Sequence, residues 1–141
     1  MREGMIRFAA SVDYDGDCTF DVTISKDKIE THIHFYGDTE TWKAFGKQLT
    51  NFPQSAAECV VFDASRNDLY IDSLLLEFYC YDAHGHAALR VVVDNNEDKH
   101  LRCRLDFAIF AEAASINLLG FLLLNWQVEN GSGIVWEAQT S

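Results

Sequence analysis

The sequence has little that would divide the chain or carry it into a membrane. It contains one proline and no glycine- or serine-rich linker, so its 141 residues indicate a single domain, residues 1–141. No apolar run is long enough to span a bilayer as a helix, and the charged start of the chain does not fit the pattern of a signal peptide. We therefore expect a cytoplasmic protein with no membrane partner.

Positive charge is scarce as well. Lys and Arg number 11 against 22 Asp and Glu, which gives a formal net charge of −11 at pH 7. Nucleic acids and anionic lipids are bound by clustered Lys and Arg, so this balance argues against both classes of partner. A protein partner would itself be basic. The candidate residues for binding it are Asp15, Asp17 and Asp21, which crowd the first predicted hairpin.

Common catalytic motifs are missing. The chain has no nucleophile elbow, phosphate-binding glycine loop, Cys-x-x-Cys or His-Glu-x-x-His. Enzyme activity is therefore not indicated, and we expect no cofactor. The four cysteines lie on predicted apolar faces, which indicates reduced, buried thiols. They are Cys18, Cys59, Cys80 and Cys103.

Alternation of apolar and polar residues predicts strands near the start of the chain. IRFAASVDY and CTFDVTI each have one apolar side. The DGD between them predicts a three-residue turn, which would pair Tyr14 with Cys18. After the polar turn SKDK, a third strand in IETHIHFY would pair Ile29 with Ile24.

A helix is predicted in GDTETWKAFGKQLTNFP. Asp38 is the expected N-cap, Trp42, Phe45 and Leu49 form a stripe at helical spacing, and Pro53 follows the end. The stripe indicates a helix packed on the core.

The rest of the chain predicts a meander of strands, an apolar helix and a final strand. The strands lie in AECVVFDA, LYIDSLLLEFYCYD, HGHAALRVVV and HLRCRLDFAIF. The second is apolar on both faces and therefore central, and Leu101 and Cys103 fall on the core side of the fourth. The helix AEAASINLLGFLLLNW precedes a strand in GIVWEA. Together these elements predict an α+β fold, mainly antiparallel sheet with two helices.

Histidines of the third strand allow two interpretations. His32 and His34 point to one face, and the predicted register places Asp21 opposite His32. Two imidazoles and a carboxylate could hold a metal ion in a metal-dependent enzyme. Alternatively, Asp21 and His32 form an exposed cross-strand pair. We favour the surface pair, because no flanking pattern supports a metal site.

A second polar group is predicted on the meander. Glu77 would lie opposite Arg90, and the next hairpin can bring Arg104 or Arg102 beside Arg90. Arginine forks on a sheet face can form an anion pocket. The alternative, which we favour, is a ladder of charges on a solvated sheet face.

The last predicted helix is apolar nearly all round. Six large apolar residues lie between Leu118 and Leu124, too many to face one sheet. Such a helix is either deeply buried or covered by another subunit. We expect a homodimer with part of this helix in the interface.

Two stretches resemble small acidic bacterial families of uncharacterised function. They are WKAFGKQLTNFP after YGD, and YCYDAHGHAALRV followed by INLLGFLLLNW. Some of these families are similar to immunity proteins that neutralise polymorphic toxins. The resemblance implies a shared fold through packing residues such as Trp42 and Gly85, and it implies no active-site residue. We therefore expect a non-enzymatic protein-binding module, with toxin neutralisation as its sharpest version.

Overall fold

The structure is a computed structural model that describes residues 1–64 and 72–141. Its elements in chain order are β1 (Arg2–Val12), β2 (Cys18–Lys26), β3 (Ile29–Gly37), α1 (Lys43–Leu49), β4 (Cys59–Asp63), β5 (Ser73–Cys80), β6 (Ala87–Asp94), β7 (Arg104–Phe110), α2 (Ala113–Leu124) and β8 (Gly133–Gln139). The predicted α+β class, mainly antiparallel with two helices, is confirmed.

The strands form two four-stranded antiparallel sheets. The first sheet has the order β3-β2-β1-β8, and the second has the order β4-β5-β6-β7. The predicted meander is the second sheet, and its doubly apolar strand, β5, is central as expected. The start of that predicted strand, residues 69–71, lies outside the described residues. β1 and β2 alternate between buried and exposed positions because only one face of the first sheet meets the core.

The register of the first hairpin differs from the prediction by two residues. Val12, not Tyr14, pairs with Cys18, so the loop covers residues 13–17. The Asp13 carboxylate closes this loop by accepting backbone N–H groups at 2.9 and 3.1 Å. A shift of two keeps every side chain on its predicted face. Tyr14, however, leaves the sheet and is 98% exposed.

The second hairpin is also shifted by two residues. Lys26 pairs with Ile29 across a two-residue turn, and Ile24 pairs with Thr31. Asp27, the first residue of the turn, has φ 52°. Two-residue turns with positive φ match the twist of paired strands, and Asp tolerates this region. The predicted four-residue loop is therefore wrong, and Ile29 is left 38% exposed.

Aromatic rings join the two sheets and α1 into one core. The Trp42 ring stacks on Phe62 of β4 at 4.1 Å between centroids and meets Phe8 of β1 edge-on at 4.9 Å. Trp136 of β8 meets Phe78 of β5 at 6.0 Å, which is a direct contact between the sheets. The sheets therefore pack through their apolar faces, and α1 adds side chains between them.

The predicted stripe of α1 is confirmed, but its predicted N-cap is wrong. Trp42, Phe45 and Leu49 are all buried. The helix begins at Lys43 and has no side-chain cap. The Asp38 carboxylate instead accepts the backbone N–H two residues further on at 2.8 Å, which stabilises the turn before the helix.

The two helices pack closely because a glycine lies on each. A Cβ at Gly120 would lie 2.8 Å from the Gly46 carbonyl oxygen, so the backbones themselves are in contact. The Asn117 side chain donates hydrogen bonds to the carbonyls of Leu49 and Phe52 at 2.9 and 2.8 Å. These bonds join α2 to the end of α1 and to the segment that follows it.

One side of α2 is buried and the other is open. Ile116, Leu119 and Leu123 are fully buried, whereas Leu118 and Phe121 are each 54% exposed. The expectation of deep burial is therefore right for half of the helix. A membrane-spanning helix is not found in the part of the chain that the structure describes.

The cysteines are less buried than the sequence predicts. Cys18 is buried and Cys80 is half-buried, but Cys59 and Cys103 are exposed, and all four thiols are free. Cys103 was expected on the core side of the last meander strand with Leu101. That strand begins only at residue 104, and Leu101 is 61% exposed in the preceding loop.

Candidate binding site

One end of the first sheet collects acidic side chains from three loops. The pairing of Val12 with Cys18 and of Cys18 with Gly37 brings the loop 13–17 beside the segment after β3. The loop before β8 joins them, because the Asn130 side chain accepts the Val12 N–H at 3.1 Å. We call the acid residues of these loops the acidic end. They are Asp13, Asp15, Asp17, Asp38, Glu40 and Glu129.

No cation offsets these charges within the three loops. Residues 11–20, 36–42 and 127–133 contain no Lys or Arg. The nearest Lys in sequence, Lys43, donates from its Nζ to the carbonyls of Leu124 and Trp126 at 3.0 and 2.9 Å. Within these described loops, the acidic end therefore presents carboxylates to solvent with no Lys or Arg among them.

Three carboxylates of the acidic end act on the Cys18 thiol. Burial raises the pKa of the Cys18 thiol, and the negative charges of Asp38, Asp13 and Asp17 raise it further. Residues from two separate loops thus act on one atom. A raised pKa favours the protonated thiol, which is the less reactive form of cysteine.

Two tyrosines and a shallow pocket accompany the acidic end. Tyr14 projects from the loop 13–17 at 98% exposure, and Tyr36 of β3 is 50% exposed. The pocket has a volume of about 470 Å³ and is lined by Tyr36, Cys18 and Asn130 among others. Exposed tyrosines are frequent in protein interfaces because the ring buries apolar area while the hydroxyl keeps a polar partner.

The predicted partner-binding residues are only partly brought together. Asp15 and Asp17 belong to the acidic end. Asp21 lies three residues further along β2 than Cys18, or roughly 10 Å from that residue. It is exposed on the outward sheet face, where it pairs with His34.

Asp13 lies beside the predicted Asp15 and Asp17 in the first hairpin, but the other three residues of the acidic end were missed in the sequence. Asp38, Glu40 and Glu129 are far from the first hairpin in the chain. Glu129 arrives there because β8 pairs with β1, which joins the two ends of the sequence. No local sequence pattern indicates that β8 pairs with β1. Asp38 and Glu40 could have been found from the β2–β3 hairpin, which returns the chain to the same end.

The histidine cluster has another arrangement than the predicted one. Asp21 lies opposite His34, not His32, because of the shifted register. The His32 Nδ1 lies 3.0 Å from the Thr23 hydroxyl, and the His34 Nδ1 lies 3.3 Å from Asp72. Each imidazole thus has a partner outside the predicted triad. Among the described residues, no three His, Cys, Asp or Glu side chains are placed to hold a metal ion.

The polar face of the meander is a set of ion pairs. Glu77 pairs with Arg90 across the strands, as predicted. Arg90 also binds both carboxylate oxygens of Asp106 at 3.1 and 2.8 Å, which lowers the pKa of that carboxyl. Arg104 is not beside Arg90 but opposite Asp94, at 3.8 Å. Each arginine already has a carboxylate partner, so this face does not form an open anion pocket.

Comparison of the chain with protein-family models, curated proteins and solved structures gives no significant match.

Proposed function

We propose that the chain is a non-enzymatic protein-binding module that meets a basic partner with its acidic end. The observation that carries this proposal is the convergence of six carboxylates from three loops with no Lys or Arg among them. The most specific form of this proposal is that the chain neutralises a toxin, as immunity-type proteins do. That version draws on the resemblance to small acidic bacterial families.

The arrangement suits rapid capture of a positively charged surface. Like charges held close together repel one another and destabilise the fold, and a chain needing only solubility could spread them. A basic partner removes this repulsion on binding and is steered toward the site from a distance. The exposed rings of Tyr14 and Tyr36 would then supply the apolar contact that charge alone does not give.

Affinity purification from cells of the source organism, with the natural chain and two variants as baits, tests the proposal. One variant is Asp15→Lys with Asp17→Lys in the acidic end. The control is Glu30→Lys with Glu97→Lys, which makes the same change in net charge outside it. A partner that uses the acidic end is recovered by the natural chain and the control but not by the first variant.

If both variants lose the partner equally, the interaction depends only on net charge. If both variants recover the partner equally, the contact lies elsewhere on the chain. Either result overturns the proposal. For the toxin version, the recovered protein is expressed alone and with the chain. Growth arrest that only co-expression relieves is the expected result, and harmless expression alone contradicts it.

Association of two copies through α2 is a second candidate function. It rests on Leu118 and Phe121, which are each 54% exposed on one side of the helix. Sedimentation at micromolar concentration would give a dimer for the natural chain and a monomer for Leu118→Lys. A monomer in both cases contradicts it.

A further inference from the structure

A pocket of about 530 Å³ lies at the far end of the first sheet from the acidic end. Three aromatic side chains gather beside it, from the end of β5, the turn before β6 and the end of β7. The Tyr81 ring stacks on His86 at 6.1 Å between centroids and meets Phe110 at 5.6 Å. Tyr81 and Phe110 remain 52% and 51% exposed, so part of each ring is open to solvent.

The turn before β6 fixes the position of one ring. The Asp82 carboxylate accepts the backbone N–H groups of His84 and His86 at 2.9 and 3.1 Å, and it lies 2.5 Å from the His86 Nδ1. These bonds lower the pKa of Asp82, which is therefore an acceptor only. Nδ1 must then donate. Gly85, with φ 82°, permits the turn that makes these contacts.

Carboxylates complete the lining of this pocket. Glu3 and Glu112 both line it, and the Glu3 side chain is held by a hydrogen bond from the Thr140 hydroxyl at 2.6 Å. Glu112 is exposed, and its backbone N–H bonds to Gln139 at the end of β8. Among the described residues that line the pocket none is Lys or Arg, and the N-terminal ammonium of Met1 donates to the carbonyl oxygen of Thr140 in the lining at 2.5 Å. Aromatic faces and anionic groups on one concave surface are the features that bind organic cations.

We infer that this pocket binds the cationic side chain of a lysine or arginine presented by another protein. The faces of Tyr81 and Phe110 attract the cation through their ring quadrupoles, and Glu112 supplies opposite charge. An apolar side chain would gain contact with the rings but not the electrostatic attraction. The site lies at the opposite end of β1 from the acidic end, so it does not depend on the function proposed above.

Titration with small probes followed by NMR tests this inference. The probes are Nα-acetyl-lysine methylamide, its arginine counterpart and the uncharged norleucine counterpart. The charged probes should shift the resonances of Tyr81 and Phe110 and saturate on the order of 10 mM, while norleucine should not saturate. Equal binding of norleucine would show an apolar patch without cation recognition, and the inference would fail.

Variants separate ring and charge contributions. Phe110→Leu keeps an apolar side chain and removes the aromatic face, and it should weaken binding of the lysine probe about two- to thirtyfold. Glu112→Gln should also weaken it, more strongly at low salt. Phe121→Leu is the matched control, because it changes an equally exposed ring on α2 outside the pocket. Binding that is unchanged in Phe110→Leu, or equally weakened in Phe121→Leu, contradicts the site.

Discussion

Replacing Gly120 by alanine should destabilise the protein even though alanine is the better helix former. Gly120 lies within α2, where Gly→Ala on an exposed surface would stabilise the helix by about 1 kcal/mol. Here the new Cβ would lie 2.6 Å from the Thr50 nitrogen, 2.8 Å from the Gly46 oxygen and 2.8 Å from the Leu49 carbonyl carbon. All three are backbone atoms, which cannot rotate away.

The helices must therefore separate to admit the methyl group. Overpacking of this kind costs typically about 1–3 kcal/mol and sometimes more. Because the neighbours are backbone, we expect the upper part of that range or beyond it. After subtraction of the helix-propensity gain, the free energy of unfolding should fall by about 2–3 kcal/mol.

Urea unfolding monitored by tryptophan fluorescence measures this change. With a slope of about 2 kcal/mol per molar urea, the midpoint should drop by about 1 M or more. The variants Leu118→Ala and Leu118→Gly serve as the control, because Leu118 is exposed on the same helix and their difference gives the helix propensity alone. If Gly120→Ala raises the midpoint by the amount that this control pair shows, the close helix contact is not present in solution.

Two further predictions concern cysteine reactivity and acid stability. Cys59 and Cys103 should react quickly with a thiol reagent in the native protein, because both are exposed. Cys18 should react slowly, because it is buried and burial raises its pKa. Mass spectrometry of the labelled peptides checks the order, and fast labelling of Cys18 would contradict it. The hydrogen bond from Arg102 lowers the pKa of Asp94 below its ordinary value near 3.8, so this carboxylate stabilises the fold above that value and its contribution is lost as pH falls through the folded pKa. Asp94→Asn should therefore flatten the fall in urea midpoint between about pH 5 and pH 2, whereas an equally steep fall in that variant would refute the assignment.

The sequence predicted well which faces of the strands are buried. It predicted less well which residues lie opposite one another on neighbouring strands. Apolar alternation identified the core positions of β1 and β2, since the side-chain period of a strand does not depend on its partner. Register depends on loop length. The loop 13–17 is longer than predicted because the Asp13 carboxylate closes it, a bond that only geometry reveals.

The candidate site was predictable only where its residues are neighbours in the chain. Asp15 and Asp17 stand together in the sequence, and their exposure follows from their place in a turn. Glu129 reaches the same end through the pairing of β8 with β1, which is a contact over more than a hundred residues. Apolar patterns are similar in every strand and do not specify such partners. The arginines of the meander show the same dependence on strand pairing, because Arg104 lies opposite Asp94 only in the observed register.

Association kinetics with the purified partner test the central claim most directly. The rate constant for Asp15→Lys with Asp17→Lys should be about tenfold lower than that of the natural chain at low salt. The difference should shrink as salt rises and the Debye length falls from ~10 Å at 0.1 M to ~3 Å at 1 M. The control Glu30→Lys with Glu97→Lys should lose far less. An association rate that is unchanged at low salt in the first variant, or lowered equally in both, would contradict the account that the acidic end is where the partner binds.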